Sequence, residues 1–168
     1  MAIAESILPE FDHETATTRT LLERVPQDKA EWKPHEKSMA LGQLAMHIAN
    51  IPKWTAIALE RTEFDTSPPD GSPPASSAFQ SAPDLLQAYD ANVSAARALL
   101  ARTSDAEFMV PWTLKNGGKK MFSMPRVAVL RSFILNHAVH HRGQLTVYLR
   151  LLDVPIPNIY GPTADTQS

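Results

Sequence analysis

Ile134-Leu135-Asn136-His137-Ala138-Val139-His140-His141-Arg142-Gly143-Gln144-Leu145 lies in the most strongly helical stretch of the chain. Leu130, Ile134, Leu145, Tyr148 and Leu152 recur around it at the spacing of one helix face, and His137 and His141 stand on that same face. The spacing predicts a helix that starts after Ser123 and Pro125 and ends near Leu152, with Pro155 and Pro157 stopping it. Its apolar face must be covered by other helices, so two imidazoles one turn apart look into a helical core.

Upstream of it three more amphipathic stretches read as helices. The first runs from about Ala2 to Arg24 on Ile3, Ile7, Phe11, Thr18, Leu21 and Leu22, with Glu10, Asp12, Glu14 and Arg19 falling between them. Pro9 inside it predicts a late start or a kink, and Pro26 stops it. Ser38 reads as the N-cap of a second helix, about Met39 to Arg61, which Pro52 should bend or re-cap one turn past His47. A third begins near Ser81 or Pro83 and continues to about Arg102 on Leu85, Leu86, Tyr89, Val93, Ala96, Leu99 and Leu100.

Residues 66–83, rich in proline and serine, read as a long crossover loop with too little apolar content to fold alone. Asn116-Gly117 between short apolar runs is a hairpin signal and allows a small β-excursion. Four long amphipathic segments and one long crossover predict an all-α four-helix bundle, a single domain over 1–168.

Composition narrows the function. The formal charge of −2 and the scarcity of basic clusters argue against nucleic acid as a partner. No segment is long and apolar enough for a membrane helix, and Met1-Ala2-Ile3-Ala4-Glu5-Ser6 lacks the basic start of a signal peptide. The expectation is a cytoplasmic protein. With no cysteine, thiolate metal sites and a cysteine nucleophile are excluded, leaving histidine and carboxylate as the strong metal ligands.

His47, in a stretch with Leu44, Ile48 and Ile51, can point inward from the second helix. A pair from one helix and a third ligand from a facing one is how bundles hold metal. Buried imidazoles must be neutral and hydrogen-bonded, or else face a charge; one divalent ion satisfies all three together and keeps an open coordination position. Spacing alone leaves alternatives. Core histidines are common, and His137 with His140 is also a ligand spacing. Asn50 and Gln144, each a turn beyond a histidine, are candidates to orient imidazoles, with ordinary surface amides the rival reading. Trp54, Trp112 and Tyr148 are candidates to line a pocket or to fill the core. His13 and His35 have no partner at ligand spacing. Arg142 and Arg150 fit either an anionic cofactor or surface salt bridges.

The stretch Asn136 to Leu145, with Val154-Pro155-Ile156-Pro157-Asn158-Ile159-Tyr160-Gly161-Pro162 after it and Ser38-Met39-Ala40-Leu41-Gly42-Gln43-Leu44-Ala45-Met46-His47-Ile48 before it, resembles the DinB/YfiT-like family. His137, His141, Arg142, Gly143 and Gln144 match that family's His-x-x-x-His-Arg-Gly-Gln signature, and the likeness runs over nearly the whole chain.

The resemblance implies an up-down-down-up bundle with a metal site, often zinc or nickel, whose ligands are His47, His137 and His141, with His140 outside it. It implies no DNA binding. Relatives in the wider superfamily include S-transferases that use a low-molecular-weight thiol, an isomerase and hydrolase-like proteins. The expectation is therefore a metal-dependent enzyme acting on a small molecule, and a homodimer. The rival is a non-catalytic metal- or ligand-binding protein, or a dimer that the ion only stiffens.

Overall fold

The computed structural model describes residues 2–68, 71 and 78–166. The centre of the proline-rich crossover, 69–70 and 72–77, lies outside the described residues. The chain is mostly helical: α1 (Ile3–Leu22), α2 (Leu41–Asn50), α3 (Trp54–Glu60), α4 (Ala82–Arg102), α5 (Asp105–Phe108), α6 (Arg126–Leu130) and α7 (Asn136–Leu151), with strands β1 (Glu63–Asp65), β2 (Pro111–Asn116) and β3 (Lys119–Pro125).

α1 is continuous through Pro9. The ring sits on the exposed side of the helix, where water can take the carbonyl that the missing N–H leaves free. The second predicted helix is split, as Pro52 foretold: a 3₁₀ turn over Ile51–Lys53 separates α2 from α3. Its start differs from the expectation. Ala40, and not Ser38, is the N-cap. The orphan amides of the first turn are taken by the preceding loop, Leu41 N–H donating to Trp32 O (2.9 Å) and Gly42 N–H to Ala30 O (2.8 Å), while Gln43 Oε1 accepts from Ala40 N (3.0 Å). α4 starts as expected, with Ser81 Oγ accepting from Asp84 N.

An all-α chain is not what forms. β2 and β3 make the hairpin signalled by Asn116-Gly117, and β1 adds a parallel strand on β2, giving the order β1-β2-β3. Gly117 and Gly118 have φ of 59° and 76°, the left-handed pair of a tight hairpin turn. Asp65 holds that turn from β1: Oδ1 accepts from Gly117 N (3.0 Å) and Oδ2 from Gly118 N (2.7 Å). Three residues are too few for a period-2 pattern, which is why β1 escapes sequence reading. Phe64, Leu114 and Phe122 are neighbours in register and put an apolar row on one sheet face.

α1 packs on α4 and α7, and α2 packs on the same two helices. Arg19 meets Asp90 and Asp12 meets Arg97, so α1 and α4 run in opposite directions. The interior has two parts. One gathers Leu21, Leu22, Leu41, Leu44, Leu85 and Leu145; the other gathers Phe11, Ile51, Leu100, Phe108, Trp112 and Ile134. Along α2, His47 stands between Leu44 of the first and Ile51 of the second; along α7, His137 and His141 stand between Ile134 and Leu145. The histidines occupy the junction of the two cores.

Candidate metal centre

α2 and α7 lie side by side in opposite directions, with Tyr148 Oη donating to Met39 O at one end and His47 facing His137 further along. α7 enters from a π-turn over Arg131–Leu135, in which Asn136 N–H reaches back to Arg131 O. Such widened turns recur at functional sites. Here the turn buries Ile134 and Leu135 together and delivers the next helical turn with its imidazoles toward α2.

The three rings converge on their Nε2 atoms. His47 Nε2 is 3.3 Å from His137 Nε2, and His141 Nε2 is 2.8 Å from His137 Nε2. One donor atom from each of the three lies within 4.8 Å of the others, a group that could hold a metal ion. Nitrogens bound to one tetrahedral ion at ~2.1 Å stand about 3.4 Å apart, so the spacing suits a shared ion. Among the described residues no carboxylate joins the group. All three side chains are half-buried.

Electrostatics matches the geometry. Burial, with His141 and His137 adding in the same direction, pushes the His47 imidazole down to about 4. His137 is lowered by burial, against a hydrogen bond to the Phe133 backbone, with His140 adding to the lowering. His141 is lowered by burial, against its bond to Gln144, with His137 and His140 adding to the lowering. Neutral imidazoles are the form that ligates.

Two contacts at the ring nitrogens bear on ligation. His141 Nδ1 sits 2.7 Å from Gln144 Oε1, a contact that is a hydrogen bond when Nδ1 carries the proton and that then leaves the Nε2 lone pair toward the group. His137 Nε2 and His141 Nε2 stand 2.8 Å apart, a hydrogen-bond distance when one of them carries the proton and a gap that one cation can bridge when neither does. The donor set fits a divalent ion.

The remaining candidates sort themselves by contact. Gln144 Oε1 meets His141 Nδ1 at 2.7 Å. Asn50 Nδ2 donates to Met46 O of its own helix (2.8 Å). His140 is exposed and meets Gln144 Nε2 at 3.2 Å, outside the convergent group. His13 is exposed, and His35 is an exposed loop residue whose Nδ1 accepts from Lys37 N. Trp112 is core, its Nε1–H donating to Ile57 O. Trp54 stands edge-on to Phe64, and Tyr148 edge-on to Trp32. A cavity of about 20 Å³, room for one water, lies behind the site between Phe11, Ile48, Ile51, Tyr89, Ile134 and Ala138.

Arg150 makes the salt bridge that was one of its two readings, to Asp165 in the C-terminal segment. Arg142 does neither of the things expected of it. It is 2% exposed and pairs with Glu14 Oε2 at 2.6 Å, donates to Glu14 O and Thr18 Oγ1, and donates to Tyr160 Oη at 2.6 Å. Tyr160 Oη in turn donates to the Glu14 carboxylate at 3.0 Å. Sequence reading placed Glu14 between apolar positions. The signal against that was present: Ile7, Phe11, Glu14, Thr18, Leu21 and Val25 are spaced 4-3-4-3-4, so Glu14 stands on the buried stripe itself.

A mostly helical fold brings three imidazoles together across two facing helices, a group that could hold a metal ion. The DinB family model matches residues 2–167, and the chain belongs to that family. It is 26% identical over 164 residues to the uncharacterized protein YrdA of Bacillus subtilis (strain 168), covering 96% of this chain and 90% of that one. The fold is similar to crystal structures of a DinB-like protein from Bacillus cereus ATCC 10987 (TM-score 0.69, 24% identity, 95% of this chain and 98% of that one) and of another from Bacillus subtilis (TM-score 0.69, 20% identity, 94% and 99%).

Proposed function

We propose that the protein holds one divalent ion, zinc or nickel, through the Nε2 atoms of His47, His137 and His141, and acts with it as an enzyme on a small molecule. The convergence of three neutral ring nitrogens carries this reading. A divalent ion supplies Lewis acidity, lowering the pKa of a water or thiol in its open position. The chain's own residues do the rest. The imidazoles bind as neutral donors, the Phe133 backbone and Gln144 hydrogen-bond two of the rings, and the apolar residues of both cores limit water behind the rings. A site of three neutral ligands leaves the ion's double charge uncompensated, which favours a partner that binds as an anion, such as a thiolate. Thiol-dependent S-transfer is the leading reaction class, and metal-assisted hydrolysis the other.

We read the four long helical stretches as one up-down-down-up four-helix bundle, a single domain working in the cytoplasm as a homodimer, with neither nucleic acid nor membrane as partner. The experiment is elemental analysis of protein purified without a nickel column, beside His47→Ala and His137→Ala. About one equivalent in the wild type and none in the variants supports the site. A wild type that stays empty in excess zinc and excess nickel overturns it. Thiol-transfer and hydrolase assays on loaded protein then separate an enzyme from a non-catalytic metal-binding protein.

A further inference from the structure

The β-hairpin reaches the three rings through aromatic contacts. Phe133 is the residue whose backbone hydrogen-bonds the His137 ring. Its own ring is stacked on Phe122 of β3, with centroids 5.4 Å apart and planes 17° apart. In the sheet Phe122 stands opposite Leu114, and Leu114 opposite Phe64. Phe64 meets Trp54 edge-on, 5.0 Å between ring centres, and Trp54 opens α3 two turns past His47. An apolar row thus starts beside one ring of the group and ends on the element that follows another. All five members are only half-buried, although the second core on which they pack is closed to solvent.

The surface beside this row is short of charge. No Asp, Glu, Lys or Arg occurs between Lys37 and Lys53, so α2 presents only amides and His47 as polar groups. On α7, Arg142 is committed to Glu14 and Arg150 to Asp165. Lys115 pairs with Glu63, and Lys53 lies on the α4 side with Asn92 and Leu99. Lys119 and Lys120 are exposed at the hairpin turn. An ionic group laid on the row would lose water and find no counter-charge, whereas an uncharged apolar body gains by leaving water. Small-molecule sites commonly combine such a wall with a few polar groups.

We propose that Trp54, Phe64, Leu114, Phe122 and Phe133 form the wall that binds the body of the substrate, and that the substrate is an uncharged aromatic small molecule whose polar end faces the three rings. The proposal rests on the metal reading for what happens at that polar end; the wall binds with or without an ion. Its residues select the substrate and supply neither ligand nor acid nor base.

The test uses full-length protein, metal-free and zinc-loaded, with N-phenylnaphthylamine as an uncharged fluorescent probe and anilinonaphthalene sulfonate as its anionic counterpart. The uncharged probe is expected to bind once per chain and to show nuclear Overhauser contacts to the rings of Phe122, Phe133 or Trp54. The sulfonate should bind metal-free protein more weakly by roughly tenfold or more, and Phe122→Ala should weaken the uncharged probe by roughly tenfold. Trp54→Phe keeps the wall aromatic, so affinity should stay within a few-fold while energy transfer from tryptophan to the probe falls. If Phe122→Ala does not fold, the Overhauser contacts and the Trp54→Phe transfer decide. No binding, a probe seated away from the row, or a sulfonate that binds metal-free protein as tightly overturns the proposal. Zinc held by the three histidines with no probe on the row sinks this proposal alone. A probe on the row of a protein that takes up no zinc sinks the metal reading and leaves the wall standing.

Discussion

Arg142 shows how much one side chain next to a site can matter without touching it. A guanidinium at 2% exposure is stable only because Glu14, Thr18 and Tyr160 meet its donors. The pair ties α7 to α1, and Tyr160 ties both to the C-terminal segment, with its ring 4.9 Å from the Arg142 carbon. Arg142→Ala leaves the Glu14 carboxylate buried and uncompensated, so it should lower stability by about 3–5 kcal/mol in urea denaturation. The double variant Arg142→Met with Glu14→Leu should recover most of that loss. A single variant of near wild-type stability contradicts the buried pair.

His47 makes a second residue-scale prediction. Its folded pKa of about 4 lies below the ordinary 6.5, so between those values the unfolded chain binds the proton first. The metal-free protein should lose stability as pH falls from about 6.5 toward 4, and that part of the loss should vanish in His47→Leu. Parallel urea midpoints at pH 7 and pH 4.5 check it. An equal acid loss in both proteins contradicts it.

At the scale of elements, the entry into α2 is closely packed. A Cβ on Gly42 would stand 2.9 Å from Phe79 Cβ, 3.0 Å from Phe79 Cγ and 3.2 Å from Ala30 Cβ. Alanine favours helix by ~1 kcal/mol over glycine, yet here overpacking of about 1–3 kcal/mol outweighs it. Gly42→Ala should therefore lower the melting temperature, and the larger Gly42→Val should lower it further. An unchanged or higher melting temperature for Gly42→Ala means that Phe79 yields freely.

The same scale shows what the amino-acid sequence makes legible. Long periodic stretches such as Leu85 to Leu100, and stops such as Pro26 and Pro52, are read correctly because side-chain pattern and backbone rule agree there. The N-cap at Ser38 fails because tertiary partners, Trp32 O and Ala30 O, satisfy the amides in place of a side chain. β1 fails because it is three residues paired to a strand some fifty positions away.

For the whole molecule, the junction of two apolar cores is where polar side chains are hardest to accommodate, and three imidazoles stand there. His137 and His141 are legible as a pair from helical spacing. That His47 joins them while His140 stands apart follows from how α2 and α7 meet. The roles of Gln144 and Phe133 depend on which ring nitrogen faces which neighbour, a distinction that composition and spacing do not carry. The π-turn before α7 likewise has no mark in the apolar pattern, since Ile134 and Leu135 fit a buried helix of either pitch.

The most direct measurement is anomalous diffraction from crystals of zinc-loaded protein, collected on both sides of the zinc edge. One anomalous peak per chain, about 2.1 Å from the Nε2 atoms of His47, His137 and His141 and with no fourth protein ligand, is the predicted result. A peak elsewhere, or none on fully loaded protein, would contradict the three-histidine centre.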